Sequence, residues 1–191
     1  MSQEQGFQTS LKGHFLIAMP SLADPNFSQT VTHICEHNAD GAVGLVINRV
    51  HPELTMEAVF KELSLESVPE TNSIPVHLGG PVHQGQIFVV HGPPFDWEAC
   101  RPVNSSIALS NSKDLLEKLA KGEGPESFII TLGCAGWGSG QLEYEIMSNA
   151  WLTCPANETI LFETPVDKRW EEAAKLMGVD VKLLTEAAGH A

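Results

Sequence analysis

The chain has 191 residues, of which 42% are apolar, and this length and composition suit a single domain with its own buried core. Eleven basic side chains are outnumbered by 24 acidic ones, a formal net charge of -13, so direct binding of nucleic acid through a basic face is not expected. The longest early apolar run, Phe15 to Met19, is too short for a signal peptide or a membrane span, which predicts a cytoplasmic protein without a membrane partner.

The first third of the chain is predicted to form strands. After a polar start at residues 1–10, which we expect to be flexible, Gly13 to Met19 has the composition of a strand. Gln29 to Glu36 alternates between two faces, and residues 38–41 then form a turn. Gly44 to Arg49 is almost continuously apolar, as is typical of a strand covered on both sides. We therefore expect this last strand at the centre of a sheet.

Helices and strands alternate in the rest of the chain. Apolar residues at helical spacing predict a helix that starts at Thr55 and ends near Ser64. Further helices are expected from Ser112, at 141–148 and at 166–177, and further strands at 76–78, 86–91, 107–109, 128–132, 151–154 and 159–162. The alternation predicts an α/β or mixed α+β domain.

Glycines crowd the segment from Gly133 to Gly140, which follows a predicted strand and precedes a predicted helix. One interpretation is an anion site, because free backbone N–H groups at a helix start attract phosphates and carboxylates. It is neither a P-loop nor a nucleophile elbow. The other interpretation is a tight turn in which Trp137 fills the core. Near such a helix start, Cys134 would have a lowered pKa.

His33, Cys35 and His37 alternate along one strand and would share one face. Nitrogen and sulfur ligands suit zinc, but a zinc site needs a further ligand that the sequence does not supply. The alternative is that the thiol packs as a small apolar group. We expect no metal and no other cofactor. The cysteines form no CxxC pair, which favours reduced thiols over a disulfide framework.

Gln141, Glu145 and Asn149 recur every four residues and form a polar stripe on one helix face. They could line a cleft with Trp137 and Trp151, or form a structural network that holds neighbouring loops. Glu36 or Glu145 could act with His37 as acid and base. No complete catalytic motif accompanies these residues.

Five motifs, spread from Leu11 to the carboxyl end, together resemble the AlgH/YqgE family of bacterial proteins. The motifs are Phe15 to Pro20, Glu36-His37 with Gly41 to Arg49, Gly79 to Val82, Ala135 to Trp137 followed by Gly140 to Glu143, and Asn149 with Trp151-Leu152. The resemblance implies an α+β fold with a branched, partly barrel-like mixed sheet surrounded by helices. It implies a cytoplasmic protein described as a transcriptional regulator, and it carries over no catalytic residue.

These observations favour a binding or regulatory protein that is not an enzyme and that affects transcription indirectly. We call its expected contact surface the binding face, which would hold a protein partner or a small anion and consists of Glu36, His37, Asn48, Arg49, Gly79, Gly80, Trp137, Gln141 and Glu145. The alternative is a hydrolase or transferase that uses a cleft of His and Glu side chains, with or without a metal.

Overall fold

Ten strands form one sheet in the computed structural model, which describes residues 9–188. The strands are β1 (His14–Ala18), β2 (Val31–Asn38), β3 (Gly41–Val46), β4 (Val50–Thr55), β5 (Pro75–Leu78), β6 (Val82–His91), β7 (Arg101–Pro102), β8 (Ala108–Ser110), β9 (Phe128–Gly138) and β10 (Trp151–Pro155). The helices are α1 (Met56–Glu62), α2 (Lys113–Ala120), α3 (Gln141–Met147), α4 (Arg169–Leu176) and α5 (Val181–Ala188). Short helical turns occur at Pro69–Thr71, Thr159–Glu163 and Val166–Lys168.

The sheet branches at β9. Its main path runs β10-β1-β2-β3-β9-β6-β8-β7, and the pair β4-β5 joins it from the side. The first half of β9 pairs with β5 in parallel and with β6 antiparallel, whereas its second half pairs with β3 antiparallel. One long strand therefore serves three partners, and β3 lies in the interior of the sheet as its apolar sequence predicts.

The sheet curls until its distant strands meet. Between β2 and β7 the strand order places β3, β9, β6 and β8, which in a flat sheet would separate the two by roughly 24 Å. Yet Glu36 of β2 and Arg101 of β7 form an ion pair with 2.6 Å between Oε1 and Nη1. The expected α+β class, with a branched and partly barrel-like sheet in a single domain, is confirmed.

Three apolar clusters stabilise this arrangement. The largest fills the inside of the curl and includes Phe15, Ile17, Leu45 and Val90, with Ala173 and Ala174 of α4 packed against it. The other two lie under helices: α1 and α2 cover the part of the sheet formed by β5, β6 and β9, and α3 covers the β1 to β3 side. Burial of these side chains supplies the main driving force for folding.

A buried guanidinium ties α4 to the sheet. Arg169 is only 5% exposed, and it donates hydrogen bonds to the backbone carbonyls of Thr164 and Ile47. It lies beside the Nε2 atom of His77, and burial lowers the pKa of Arg169 to about 10. The spacing of apolar residues along a helix does not show whether a charged residue is buried, so the sequence did not indicate the position of Arg169.

Several predicted elements differ from those observed. Residues 133–138 extend β9 and do not form the tight turn considered for them, because residues 135–138 pair with β3. Residues 159–162 were predicted as a strand but lie in a turn of π-helix. The elements β4, β7 and α5 were not predicted. The polar start expected to be flexible lies outside the described residues except for Thr9 and Ser10. Within residues 9–188, none of the helices has the length and apolar character that a bilayer crossing requires.

Candidate functional site

Two adjoining depressions at the open end of the curl form what we call the polar groove. The first has a volume of about 400 Å³ and the second about 180 Å³, and both border Glu36 and Asn38. The first is lined by Lys12, Glu36, His37, Asn38, Cys100, Arg101 and Pro102, and the second by Glu36, Asn38, Asp40, Gly41, Ala42, Val43 and Trp137. The groove exists because the curl brings β7 next to β2.

A β-bulge in β2 directs two neighbouring side chains to different partners. Ile34 pairs with Gly44 and Glu36 pairs with Val43, so Cys35 is an extra residue in the ladder. A bulge offsets the alternation of side chains along a strand. Glu36 consequently reaches Arg101, while His37 reaches Glu143 on α3. The strict alternation expected for this strand is therefore wrong beyond residue 34.

The polar groove contains polar side chains that lack a full set of partners within the protein. Among the described residues, the ammonium of Lys12 and the carboxylate of Asp40 make no ion pair, and only one nitrogen of Arg101 is bonded. Asn38 uses its Oδ1 atom to accept a hydrogen bond from the backbone N–H of Asp40, which leaves its side-chain nitrogen available. These groups are positioned and accessible, as a ligand site requires.

His37 lines the larger depression and is paired with Glu143 of α3. The backbone N–H of Leu11 donates to Nδ1 at 2.8 Å, so that this atom carries no hydrogen. The Nε2 atom therefore carries the hydrogen and donates it to Oε1 of Glu143 at 2.7 Å. Both ring nitrogens are engaged, and His37 holds the segment before β1 against α3. The imidazole has no atom left to exchange a proton with a ligand.

Asn48 and Arg49 lie away from the groove and bind backbone groups. The amide of Asn48 accepts from the N–H of Val31 and donates to the carbonyl of Gln29. The guanidinium of Arg49 donates to the carbonyls of Pro25, Asn26 and Ser28. The two side chains therefore hold the loop between β1 and β2, and they have little capacity left for an anion.

Gly79 and Gly80 pass directly under β9. An added Cβ at Gly79 would lie 2.2 Å from the carbonyl oxygen of Gly133, and one at Gly80 would lie 2.4 Å from the carbonyl group of Cys134. Gly80 also has a φ of +148°. Two backbones approach here more closely than any side chain permits. The glycine pair thus contributes close packing, and its backbone N–H at Gly79 is bonded to Leu132.

Trp137, Gln141 and Glu145 form a closed hydrogen-bond network. One carboxylate oxygen of Glu145 accepts from the indole N–H groups of Trp137 and Trp151, each at 2.9 Å. The other accepts from the side-chain amide of Gln141, whose own oxygen accepts from the N–H of Gly138. The polar stripe is therefore a structural network that holds the indole of Trp137 against α3.

We expect Glu145→Ala to lower the free energy of unfolding by about 2–4 kcal/mol, because two indole N–H groups lose their acceptor at largely buried positions. Urea unfolding followed by tryptophan fluorescence measures this change. Glu62→Ala, in an exposed part of α1 without an ion pair among the described residues, is the control and should change stability by less than about 0.5 kcal/mol. Equal effects of the two substitutions would contradict the network's role.

The cysteines and histidines considered as metal ligands or reactive groups are mostly buried. Burial, followed by the charge of Glu36, raises the pKa of Cys35 to about 12, and burial raises the pKa of Cys134. The prediction of a lowered pKa for Cys134 is wrong because this residue lies within β9, not at a helix start. The bulge also turns His37 away from His33 and Cys35. In the described part of the chain, no group of three His, Cys, Asp or Glu residues is arranged to hold a metal.

Sequence reasoning missed most residues of the groove. Lys12, Asn38, Asp40 and Arg101 were not among the candidates, and neither was Glu143. Asn38 and Asp40 belong to a turn that directly follows the candidate residues Glu36 and His37. This proximity in sequence could have suggested them as site residues. Arg101 had none, because it is 65 residues from Glu36 in the chain and meets it only through the curl.

Comparisons with known proteins find one family. A family model described as AlgH-like, DUF179, matches residues 15–182. A UPF0301 protein of Desulforapulum autotrophicum is 54% identical over 169 residues, 88% of this chain and 89% of the relative. The UPF0301 protein YqgE of Escherichia coli is 43% identical over 186 residues, 95% of this chain and the whole of the relative.

A solved structure has the same architecture. The solution structure of the AlgH protein from Pseudomonas aeruginosa superposes with a TM-score of 0.79 at 46% sequence identity. The match covers 98% of this chain and 100% of the other. At this similarity the two chains have the same overall fold.

Proposed function

Because this chain belongs to the AlgH-like family, we propose that it is a cytoplasmic binding protein whose polar groove holds a small ligand with an anionic group. The observation that carries this proposal is the presence of two cations without full partners, Lys12 and Arg101, in one depression of a chain with a net charge of -13. Cations gathered on one spot of an acidic protein attract anions locally even though the whole molecule repels them.

An indirect effect on transcription is consistent with this charge distribution. The proposal places regulation in ligand binding or in contact with a protein partner, since the cations of the groove are too few for a duplex. A protein that grips DNA neutralises several phosphates with lysine and arginine side chains. Here the cation end of the groove offers Lys12 and Arg101, and Arg101 is already paired with Glu36.

A hydrolase or transferase is the second candidate, and it has less support. His37 is the histidine of the groove, and both of its nitrogens are engaged by Leu11 and Glu143. A second pair, Ser110 and His91, has the hydrogen bond of a nucleophile and its base, with 2.9 Å between Oγ and Nε2. Both residues are fully buried between strands, so a substrate has no access to the hydroxyl. We therefore favour binding without chemistry.

Calorimetric titration with inorganic phosphate and with acetate at low ionic strength tests the proposal. We expect both anions to bind, and we expect Lys12→Ala and Arg101→Ala each to weaken binding by about tenfold, as loss of a charged hydrogen bond would. Lys61→Ala, on α1 and remote from the groove in the fold, is the matched control and should bind as the wild type does. Failure of both anions to bind, or an equal loss in the control, would refute the proposal.

A further inference from the structure

The two ends of the polar groove carry opposite charge. Lys12 and Arg101 lie in the larger depression, and Asp40 lies in the smaller one beyond Glu36 and Asn38. The geometry points to a zwitterionic ligand, a short peptide with a free carboxylate and a free ammonium group, which lies along the groove with its carboxylate at Lys12 and Arg101 and its ammonium at Asp40. This inference rests on the proposed function, since it names the ligand of the same groove.

The cation end is built to receive a carboxylate. Arg101 contacts Glu36 through Nη1 alone, and its remaining donors make no hydrogen bond with the described residues. The single contact with Glu36 holds the guanidinium at the depression and leaves its other nitrogens available to a second carboxylate. Lys12 borders the same depression and lies within the turn that leads into β1. A carboxylate placed there meets two cations and one internal carboxylate.

The acid end is built to receive a cation. Asp40 lies in the tight turn between β2 and β3, and its exposed carboxylate makes no ion pair with the described residues. The turn is held on both sides, because Asn38 accepts from the N–H of Asp40 and Ser139 donates to the carbonyl of Ala39. Trp137 borders the same depression, but its indole is turned to α3, where it donates to Glu145. An ammonium group suits an exposed carboxylate that has no other cation beside it.

A ligand that reaches both ends must pass the two residues that border both depressions. These residues, Glu36 and Asn38, are two positions apart on β2 and therefore roughly 7 Å apart. An extended dipeptide, at about 3.3–3.6 Å per residue, is long enough to span this stretch of the groove. Asn38 borders both depressions, and its side-chain amide nitrogen makes no hydrogen bond with the described residues, so it is available to donate to the peptide carbonyl.

The same charges disfavour other small ligands. A dianion of similar length would place one of its negative groups near Asp40, and a dication would place one positive group near Lys12 and Arg101. Like charges at short distance weaken binding. The groove therefore favours a ligand with one negative and one positive end, whereas a general anion site would bind any small anion.

Calorimetric titration with dialanine, N-acetyl-dialanine and dialanine amide tests the inference, with inorganic phosphate measured in parallel. We expect dialanine to bind most tightly and each blocked form to bind about tenfold more weakly, because each lacks one charged contact. In Asp40→Asn the preference for dialanine over its acetylated form should disappear, while phosphate binding persists. A melting curve checks that this conservative change in the turn leaves the protein folded.

The possible results of these titrations distinguish the inferred ligand from the proposed anion site. If N-acetyl-dialanine binds as tightly as dialanine, or if Asp40→Asn retains the preference, the inferred orientation is wrong and the anion site remains. If phosphate binds in the groove and none of the dipeptides does, the inference fails alone. If neither phosphate nor any dipeptide binds, the inference and the proposed function fail together.

Discussion

Gly79→Ala is expected to lower the free energy of unfolding by about 3 kcal/mol, because the new methyl group collides with backbone atoms that cannot move independently. Its Cβ would lie 2.2 Å from the carbonyl oxygen of Gly133 and 2.7 Å from the hydroxyl of Thr131. Relief requires β9 to shift away from the segment between β5 and β6. Since β9 pairs with three strands, this shift disturbs the branch point of the whole sheet.

Urea unfolding of Gly79→Ala beside Gly85→Ala measures the effect. Gly85 also lies close to the branch point, on β6, but an added Cβ there meets no atom within 4 Å. We expect the Gly85 variant to match the wild type within about 0.5 kcal/mol. Similar losses in both variants would show that the close approach of the two backbones is not what makes Gly79 necessary.

Acidification from pH 6.5 to pH 4 is expected to destabilise the protein strongly. Burial lowers the pKa of His33 to about 4, and burial together with the nearby charge of Arg169 lowers the pKa of His77 to about 4. In the unfolded chain both pKa values return to about 6.5. Between these values the unfolded chain binds protons that the folded protein excludes. The stabilisation is therefore complete above pH 6.5 and is lost as the pH falls to 4.

The size of this loss is on the order of 3 kcal/mol for each of the two histidines, since one pKa unit corresponds to about 1.4 kcal/mol. His91 adds to it, because burial lowers its pKa as well. Chemical unfolding at intervals of half a pH unit, with each sample equilibrated, gives the slope directly. We expect a slope near 3 kcal/mol per pH unit at pH 5, from two protons taken up on unfolding.

His33→Leu isolates one of these groups. His33 is fully buried, its Nε2 atom has no hydrogen-bond partner, and its ring contacts Phe15. An apolar replacement should reduce the slope at pH 5 by about half. His83→Gln, at an exposed position of β6, is the control and should leave the slope unchanged. An unaltered slope in His33→Leu would mean that this imidazole becomes protonated within the folded protein.

Much of the fold could be predicted from the sequence, because local patterns determined it. The apolar run from Gly44 predicted an interior strand, and apolar residues at helical spacing predicted α1 and α2. The family motifs predicted the branched and curled sheet, and both the fold class and the AlgH-like family are confirmed. These features depend on residues that are near in sequence or on motifs that are specific as a set.

The candidate site depended on contacts that local patterns do not record. The glycine segment was interpreted as an anion site or as a tight turn, yet its backbone pairs with β3, a strand about 90 residues earlier in the chain. Three of the expected polar residues, Asn48, Arg49 and Glu145, proved to hold backbone or indole groups. A polar residue that stabilises a loop and one that binds a ligand look the same in sequence, since the partner decides which it is.

The most direct test of the polar groove is a backbone NMR titration with inorganic phosphate at low ionic strength. If the groove is the ligand site, the chemical-shift changes are saturable and concentrated at Lys12, Asn38 and Arg101. These changes are lost in Arg101→Ala. Shifts centred on another cavity, such as the one of about 380 Å³ beside Pro93 and Glu158, would contradict it. So would shifts that grow linearly without saturating at any residue.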